Sequence, residues 1–205
     1  LKASANDLAG LKTVKVSETA GLTLNAGVAD TVTSVDTSAT TGKVTVSIDG
    51  TKATYTGGAG ADVVTLATST ALTKAINLGA GDDTLSFAAL AVTGSTAALA
   101  GGDGTDTLSM STATADALDG VVQTFYTGFE RLTINDAAAD ANIDLANLGF
   151  TSYVTTNGSA GTLTLTNLAS NGTVAIAAAP TTGTTVVVKD AATGTADVLN
   201  VVLTS

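Results

Sequence analysis

The chain has no cysteine, no histidine and no tryptophan, and only one proline and one methionine among its 205 residues. Without histidine or cysteine, neither a Ser-His-Asp nor a Cys-His nucleophile can be assembled from it, and a catalytic role is not expected. Aromatic residues are 3% of the total, too few to build an aromatic-lined substrate pocket. Eight basic residues face 18 acidic ones, so no basic patch exists for phosphates and nucleic acid is not an expected partner. No apolar run approaches the roughly 20 residues of a membrane-crossing helix, so the chain is read as not membrane-spanning. It opens at Leu1 with no charged n-region, h-region or cleavage site, and Asp197 to Ser205 is strand-like to the last residue. The whole is therefore read as a fragment of a longer polypeptide.

What is present is threonine and glycine, 40 and 22 residues, with a hydrophobic content of 44%. Threonine and valine favour strands and glycine marks turns, so this is the composition of a repetitive β structure and not of a disordered chain. Sixteen of the 18 acidic residues are aspartate, a turn residue and a ligand for hard cations, and the net charge is −10.

One glycine and aspartate pattern occurs three times. The copies are Gly57-Gly58-Ala59-Gly60-Ala61-Asp62-Val63-Val64-Thr65, then Leu78-Gly79-Ala80-Gly81-Asp82-Asp83-Thr84-Leu85-Ser86, then Gly101-Gly102-Asp103-Gly104-Thr105-Asp106-Thr107-Leu108-Ser109. Each is six loop residues closed by an aspartate and followed by three of strand type. This is the calcium-binding nonapeptide of parallel β-rolls. Ca²⁺ takes six to eight oxygens from carboxylates and backbone carbonyls, and glycines let a loop turn so that its carbonyls reach the ion. The competing explanation, glycine-rich turns with incidental aspartates, accounts poorly for three copies. The middle copy carries Leu78 where the first glycine belongs, so its loop is expected to be tighter or less symmetric.

The copies begin 21 and 23 residues apart, close to one full coil. The loops are therefore expected to stack on one edge of a parallel β-solenoid, spaced like neighbouring strands at about 4.8 Å. Two gaps between three loops suggest at least two Ca²⁺ ions, with Asp83 serving both. The expected fold is all-β, a parallel β-solenoid or β-roll in three regions: β rungs over 1–56, the calcium-binding roll over 57–110 and a strand region over 111–205. Alternation predicts strands at Thr13–Ser17 and Lys43–Asp49, with weaker ones at Leu22 with Leu24 and at Thr31–Val35, while Lys52–Thr56 leads straight into the first loop; within the roll, strands are expected at Val63–Ala67, Ala75–Leu78, Thr84–Phe87, Ser95–Ala100 and Thr107–Met110. Asp49-Gly50 suits either a hairpin or a coil corner. Ala115, Leu118, Val121 and Val122 sit at helical spacing and predict a short helix or a crossing loop. Strands resume at Leu132–Ile134, Ile143–Leu145, Thr162–Thr166, Thr173–Ile176, Thr184–Val188 and Val198–Leu203.

Other candidates are weaker. Gly58-x-Gly60 and Gly79-x-Gly81 look like part of a dinucleotide fingerprint, but the third glycine is missing and a strand follows each loop. Asn157-Gly158-Ser159 and Asn171-Gly172-Thr173 match a glycosylation sequon, yet a turn explains them. Asp136, Asp140 and Asp144 recur every four residues and suggest a turn with a further calcium site or plain solvation. Asp30 with Asp36, and Asp190 with Asp197, raise the same question less strongly.

The nonapeptides resemble those of the repeat-in-toxin (RTX, haemolysin-type) calcium-binding proteins, which are secreted through type I machinery. The order is closer still to one group. Tyr55-Thr56 leads into the first loop, Lys74-Ala75-Ile76 into the second, and Gly128-Phe129-Glu130-Arg131-Leu132 follows the third, all within cysteine-free Thr, Ala and Val strands. This is similar to the calcium-dependent surface-layer (S-layer) proteins of Gram-negative bacteria, strongly over residues 53–135 and in composition elsewhere. The resemblance implies Ca²⁺ at Asp62, Asp83 and Asp106, secretion to the cell surface and self-association into a lattice. It also implies lipopolysaccharide contact through domains outside these residues. A calcium-stiffened module of a large RTX adhesin is the alternative. The absence of disulfides fits export in an unfolded state, with calcium supplying stability outside.

Overall fold

The computed structural model describes residues 10–24, 27–67, 71–87, 95–120, 123–193 and 196–204. The chain is an all-β parallel β-solenoid with about 6% helix. It divides into two compact units, Leu1–Leu108 with Phe125–Phe129, and Ser109–Thr124 with Glu130–Ser205.

In the first unit β1 (Thr13–Glu18), β2 (Leu22–Leu24), β3 (Ser34–Thr40), β4 (Val44–Ile48), β5 (Thr54–Thr56), β6 (Val63–Leu66), β7 (Ile76–Ala80), β8 (Thr84–Phe87) and β9 (Leu99–Asp103) alternate between two sheets. β10 (Thr107–Met110) is divided between the units. The second unit opens with α1 (Thr112–Leu118), and β11 (Tyr126–Thr127) returns to the first. The first unit's sheets run β1-β3-β5-β7-β9-β11 and β2-β4-β6-β8, parallel wherever the register is defined.

Parallel register stacks like on like, because each coil places the same alternation one strand spacing further along. Leu24 lies opposite Val46, Val46 opposite Val64 and Val64 opposite Leu85, and none is more than 2% exposed. Thr45, Val63, Thr65 and Ser86 take the alternate positions and are half-buried. Each fully buried Leu or Val in such a column contributes about 1.5–3 kcal/mol. Asp49-Gly50 forms a corner: Lys52 and Ala53 donate to the Asp49 carbonyl at 2.9 and 3.0 Å, while Asp49 Oδ1 accepts the Thr51 N–H and hydroxyl. A hairpin there would pair β4 with β5, whereas β4 pairs with β2 and β6.

The second unit continues with β12 (Arg131–Ile134), β13 (Ala141–Asp144), α2 (Leu145–Leu148), β14 (Tyr153–Thr156), β15 (Leu163–Leu168), β16 (Thr173–Ile176), β17 (Thr184–Val188) and β18 (Asn200–Leu203). Its sheets are β12-β14-β16-β18 and β13-β15-β17, again parallel. The column Leu132, Val154, Val174 is at most 1% exposed, but Val201, next in register, is 56% exposed because among the described residues β18 is the edge strand of its sheet.

Several expectations shift. The helical spacing after Ser111 becomes α1, capped by Ser111 Oγ accepting the Thr114 N–H, with Ala115 and Leu118 buried; residues 121–122 lie outside the described residues. Leu145 is helical, not the end of a strand, because Asp144 caps α2 and Gly149 closes it at φ 82°. The strand expected over Ser95–Ala100 lies at Leu99–Asp103, and the one expected over Thr31–Val35 lies at Ser34–Thr40. β11 and β14 are additional strands.

Leu85→Ala should lower the unfolding free energy by about 2–5 kcal/mol in chemical denaturation, since its cavity opens inside a packed column. Leu203→Ala, at 74% exposure, should change it by about 0.5 kcal/mol or less.

Candidate metal centre

The three nonapeptide loops lie over one another in the first unit. β7 and β9 pair with Gly79 opposite Gly102 and Ala80 opposite Asp103, so the opening residues of the second and third loops belong to strands. Six free loop residues were the expectation; backbone pairing reaches into the glycines because it needs no side chain. Ala80 donates to the Gly58 carbonyl and Gly81 to the Asp103 carbonyl, both at 2.8 Å.

Each loop ends on a buried aspartate immediately before a strand. Asp62, Asp83 and Asp106 are 1%, 1% and 0% exposed. Their Oδ1 atoms form a ladder: Asp106 accepts the Asp83 N–H at 2.8 Å, Asp83 accepts the Asp62 N–H at 2.6 Å, and Asp62 accepts the Val44 N–H at 2.8 Å. The backbone repeats the contact, Thr84 donating to the Asp62 carbonyl and Thr107 to that of Asp83.

The second carboxylate oxygens differ. Asp62 Oδ2 accepts the Tyr55 hydroxyl at 2.8 Å, whereas Asp83 Oδ2 is buried with no hydrogen-bond partner among the described residues. Burial pushes the Asp83 carboxyl up to about 7, with the Asp62 N–H opposing and the charges of Asp62, Asp106 and Asp82 adding to the rise. Burial also raises Asp62, against the Tyr55, Val44 and Gly58 hydrogen bonds. Tyr55 is itself raised by burial, so its hydroxyl stays neutral and donates.

The glycines are required by close approach. A methyl group on Gly102 would overlap the Gly79 carbonyl oxygen, and one on Gly79 would overlap that of Gly58. Gly79 and Gly102 share φ values of 100° and 117°, and Gly81 and Gly104 share 122° and 140°. The first loop, Gly57, Gly58 and Gly60, has no positive φ. The middle loop was expected to be the irregular one because of Leu78. Instead it matches the third, Leu78 is fully buried, and the first loop departs. Gly57 makes room for the Leu78 carbonyl, and Gly101 for the Gly128 carbonyl and the Asp106 carboxylate.

The donors suit a hard cation: carboxylates and loop carbonyls, with one buried carboxylate oxygen, Asp83 Oδ2, lacking a partner. Among the described residues no three or more acidic side chains gather as a metal cluster, so an ion here would draw on carbonyls as much as on carboxylates. Asp82 and Asp103 are exposed; Asp82 Oδ1 accepts the Thr105 N–H at 2.9 Å. Ala59 and Ala61 face outward and have only carbonyls to offer. Tyr55 was not among the expected site residues, although it stands seven residues before Asp62.

The other aspartates act separately. Asp136 Oδ1 accepts the Thr112 N–H and hydroxyl, each at 2.8 Å; Asp140 accepts the Thr162 N–H; Asp144 accepts from Ala146 and Asn167. Asp30 pairs with Lys52 and Asp36 with Lys15, both on the surface. Asp190 and Asp197 are exposed.

Gly102→Ala should destabilise the protein by more than about 1 kcal/mol, while Gly120→Ala, with open space around it, should be close to neutral on thermal melting. With chelator present, the raised Asp83 carboxyl favours the folded state most below its unfolded value of 3.8, and that contribution is lost as pH rises through about 7. The melting temperature should therefore fall between about pH 4 and pH 7, and Asp83→Asn should flatten that fall.

No protein-family model matches this chain, and no curated protein matches it, so the chemistry of the loops carries the functional reading.

Proposed function

We propose that the chain is a structural segment of a secreted, calcium-dependent S-layer protein, folded and assembled into a cell-surface lattice through Ca²⁺ binding at the glycine-rich loops. The observation that carries this reading is the in-register stack of three nonapeptide loops around a buried carboxylate oxygen, Asp83 Oδ2, that no protein donor satisfies. Buried charges require compensation, and a divalent cation supplies it together with a use for the surrounding carbonyls.

Asp83 and Asp106, with the carbonyls of the second and third loops, are the residues to hold such an ion, and Asp82 and Asp103 add negative charge at the rim. When bound, the ion supplies charge neutralisation and cross-links adjacent coils. Where calcium is scarce the buried carboxylates repel one another and the stack is weakened; where it is plentiful, binding becomes folding free energy. That coupling suits a polypeptide exported unfolded. The role is architectural, with the lattice formed by copies of the same protein.

Calcium at about 100 times its dissociation constant should stabilise the fold by about 2.7 kcal/mol, seen as a higher melting temperature than in chelator. Asp83→Asn should remove most of that gain. Equal melting curves in calcium and chelator would sink the reading. Electron microscopy of the full-length protein separates a lattice from an adhesin stalk: calcium-dependent two-dimensional sheets support the first, and isolated rods the second.

A further inference from the structure

We infer that the three loops are not equivalent towards metal: the Tyr55 hydroxyl stands at Asp62 where a cation would otherwise be needed, so cation binding is confined to the second and third loops. This rests on the calcium reading above and narrows it to particular residues.

The inference comes from register. Tyr55 lies opposite Ile76, and Ile76 opposite Leu99, with the same 21- and 23-residue spacing as the loops. All three are core residues at most 1% exposed, and each precedes its loop aspartate by seven positions. The register therefore gives the three coils one equivalent position, seven residues before the aspartate, and only the first coil fills it with a hydrogen-bond donor. Tyr55 donates to Asp62 Oδ2 at 2.8 Å, and the Thr37 hydroxyl lies 3.2 Å from the Tyr55 oxygen and 3.0 Å from the Thr56 carbonyl. Asp62 thus has a protein donor on each oxygen, Val44 on Oδ1 and Tyr55 on Oδ2. Ile76 offers nothing to Asp83, whose Oδ2 is left without a partner.

Backbone geometry supports the same division independently. The second and third loops share left-handed glycines at equivalent positions, Gly79 with Gly102 and Gly81 with Gly104, and the first loop has none. Backbone built alike on two successive loops would present carbonyls in the same way from each to an ion between them. The first loop shares its glycines' spacing but not their conformation. Its match to the nonapeptide is a match of sequence, with a tyrosine in the place of the metal.

Calorimetric titration with calcium chloride, on protein first stripped with chelator and checked for fold by circular dichroism, tests this. Asp83→Asn should weaken calcium binding about 10- to 100-fold, and Asp62→Asn should leave it within about twofold. Tyr55→Phe keeps the shape of the core while removing the donor, so its melting temperature in chelator should fall and its rise on adding calcium should exceed that of the parent protein. Weakening of calcium binding by Asp62→Asn to the extent seen with Asp83→Asn, or an unchanged calcium-induced rise in Tyr55→Phe, overturns the inference and leaves the calcium reading standing. Absence of calcium binding in the parent protein overturns both.

Discussion

The loop aspartates tie the coils together by a hydrogen bond that no other residue type makes equally well. Each stands one residue before a strand, faces inward, and reaches with Oδ1 to the in-register N–H of the preceding coil, from Asp106 to Asp83, Asp83 to Asp62 and Asp62 to Val44. A shorter or apolar side chain would leave that N–H buried and unpaired, and an unsatisfied buried donor costs about 1–3 kcal/mol. The rest of the edge follows from this contact. Adjacent loops must lie against one another for the carboxylate to reach, and at that distance a Cβ at Gly79 or Gly102 has nowhere to go. The repeat of glycine and the repeat of aspartate are one requirement.

The same contact creates a problem of charge. Three carboxylates in a buried column repel, and the middle one feels both neighbours and the adjacent Asp82. In the first coil hydrogen bonding relieves it, through Tyr55. In the second coil, where the register places Ile76, no side chain does. Protonation and cation binding are the two remaining ways to neutralise Asp83, and the proposed function adopts the second because the loop carbonyls suit a cation and not a proton.

Much of this was legible in the sequence because a parallel coil maps register directly onto spacing. The 21- and 23-residue intervals between loops predict one stacked edge, and the columns from Leu24 to Leu85 follow from the alternation of Val and Thr. What was not legible depends on contacts between coils. Leu78 reads as a defect in the nonapeptide, yet it is a core residue, and the loop that departs in conformation is the first, whose motif is complete. β14 escaped because Thr156 is buried in a strand with a single aliphatic residue, Val154. Leu145 reads as strand by apolar pattern, and only the Asp144 cap and Gly149 make it helical. Asp136, Asp140 and Asp144 look like a periodic cluster, but each serves a different backbone N–H.

A solenoid coil is stable only against its neighbours, so the state of one coil is transmitted to the next. If each of the three loops needed an ion, none of the three coils that carry them would be complete without metal. The Tyr55-sealed coil removes that difficulty: β4 and β6 pair through a satisfied carboxylate, and β6 then offers β8 a finished edge. On the proposed reading, cation binding at Asp83 extends a structure already present. On that reading, the inequality of the three loops would let one part of the edge stay ordered while the next part responds to calcium.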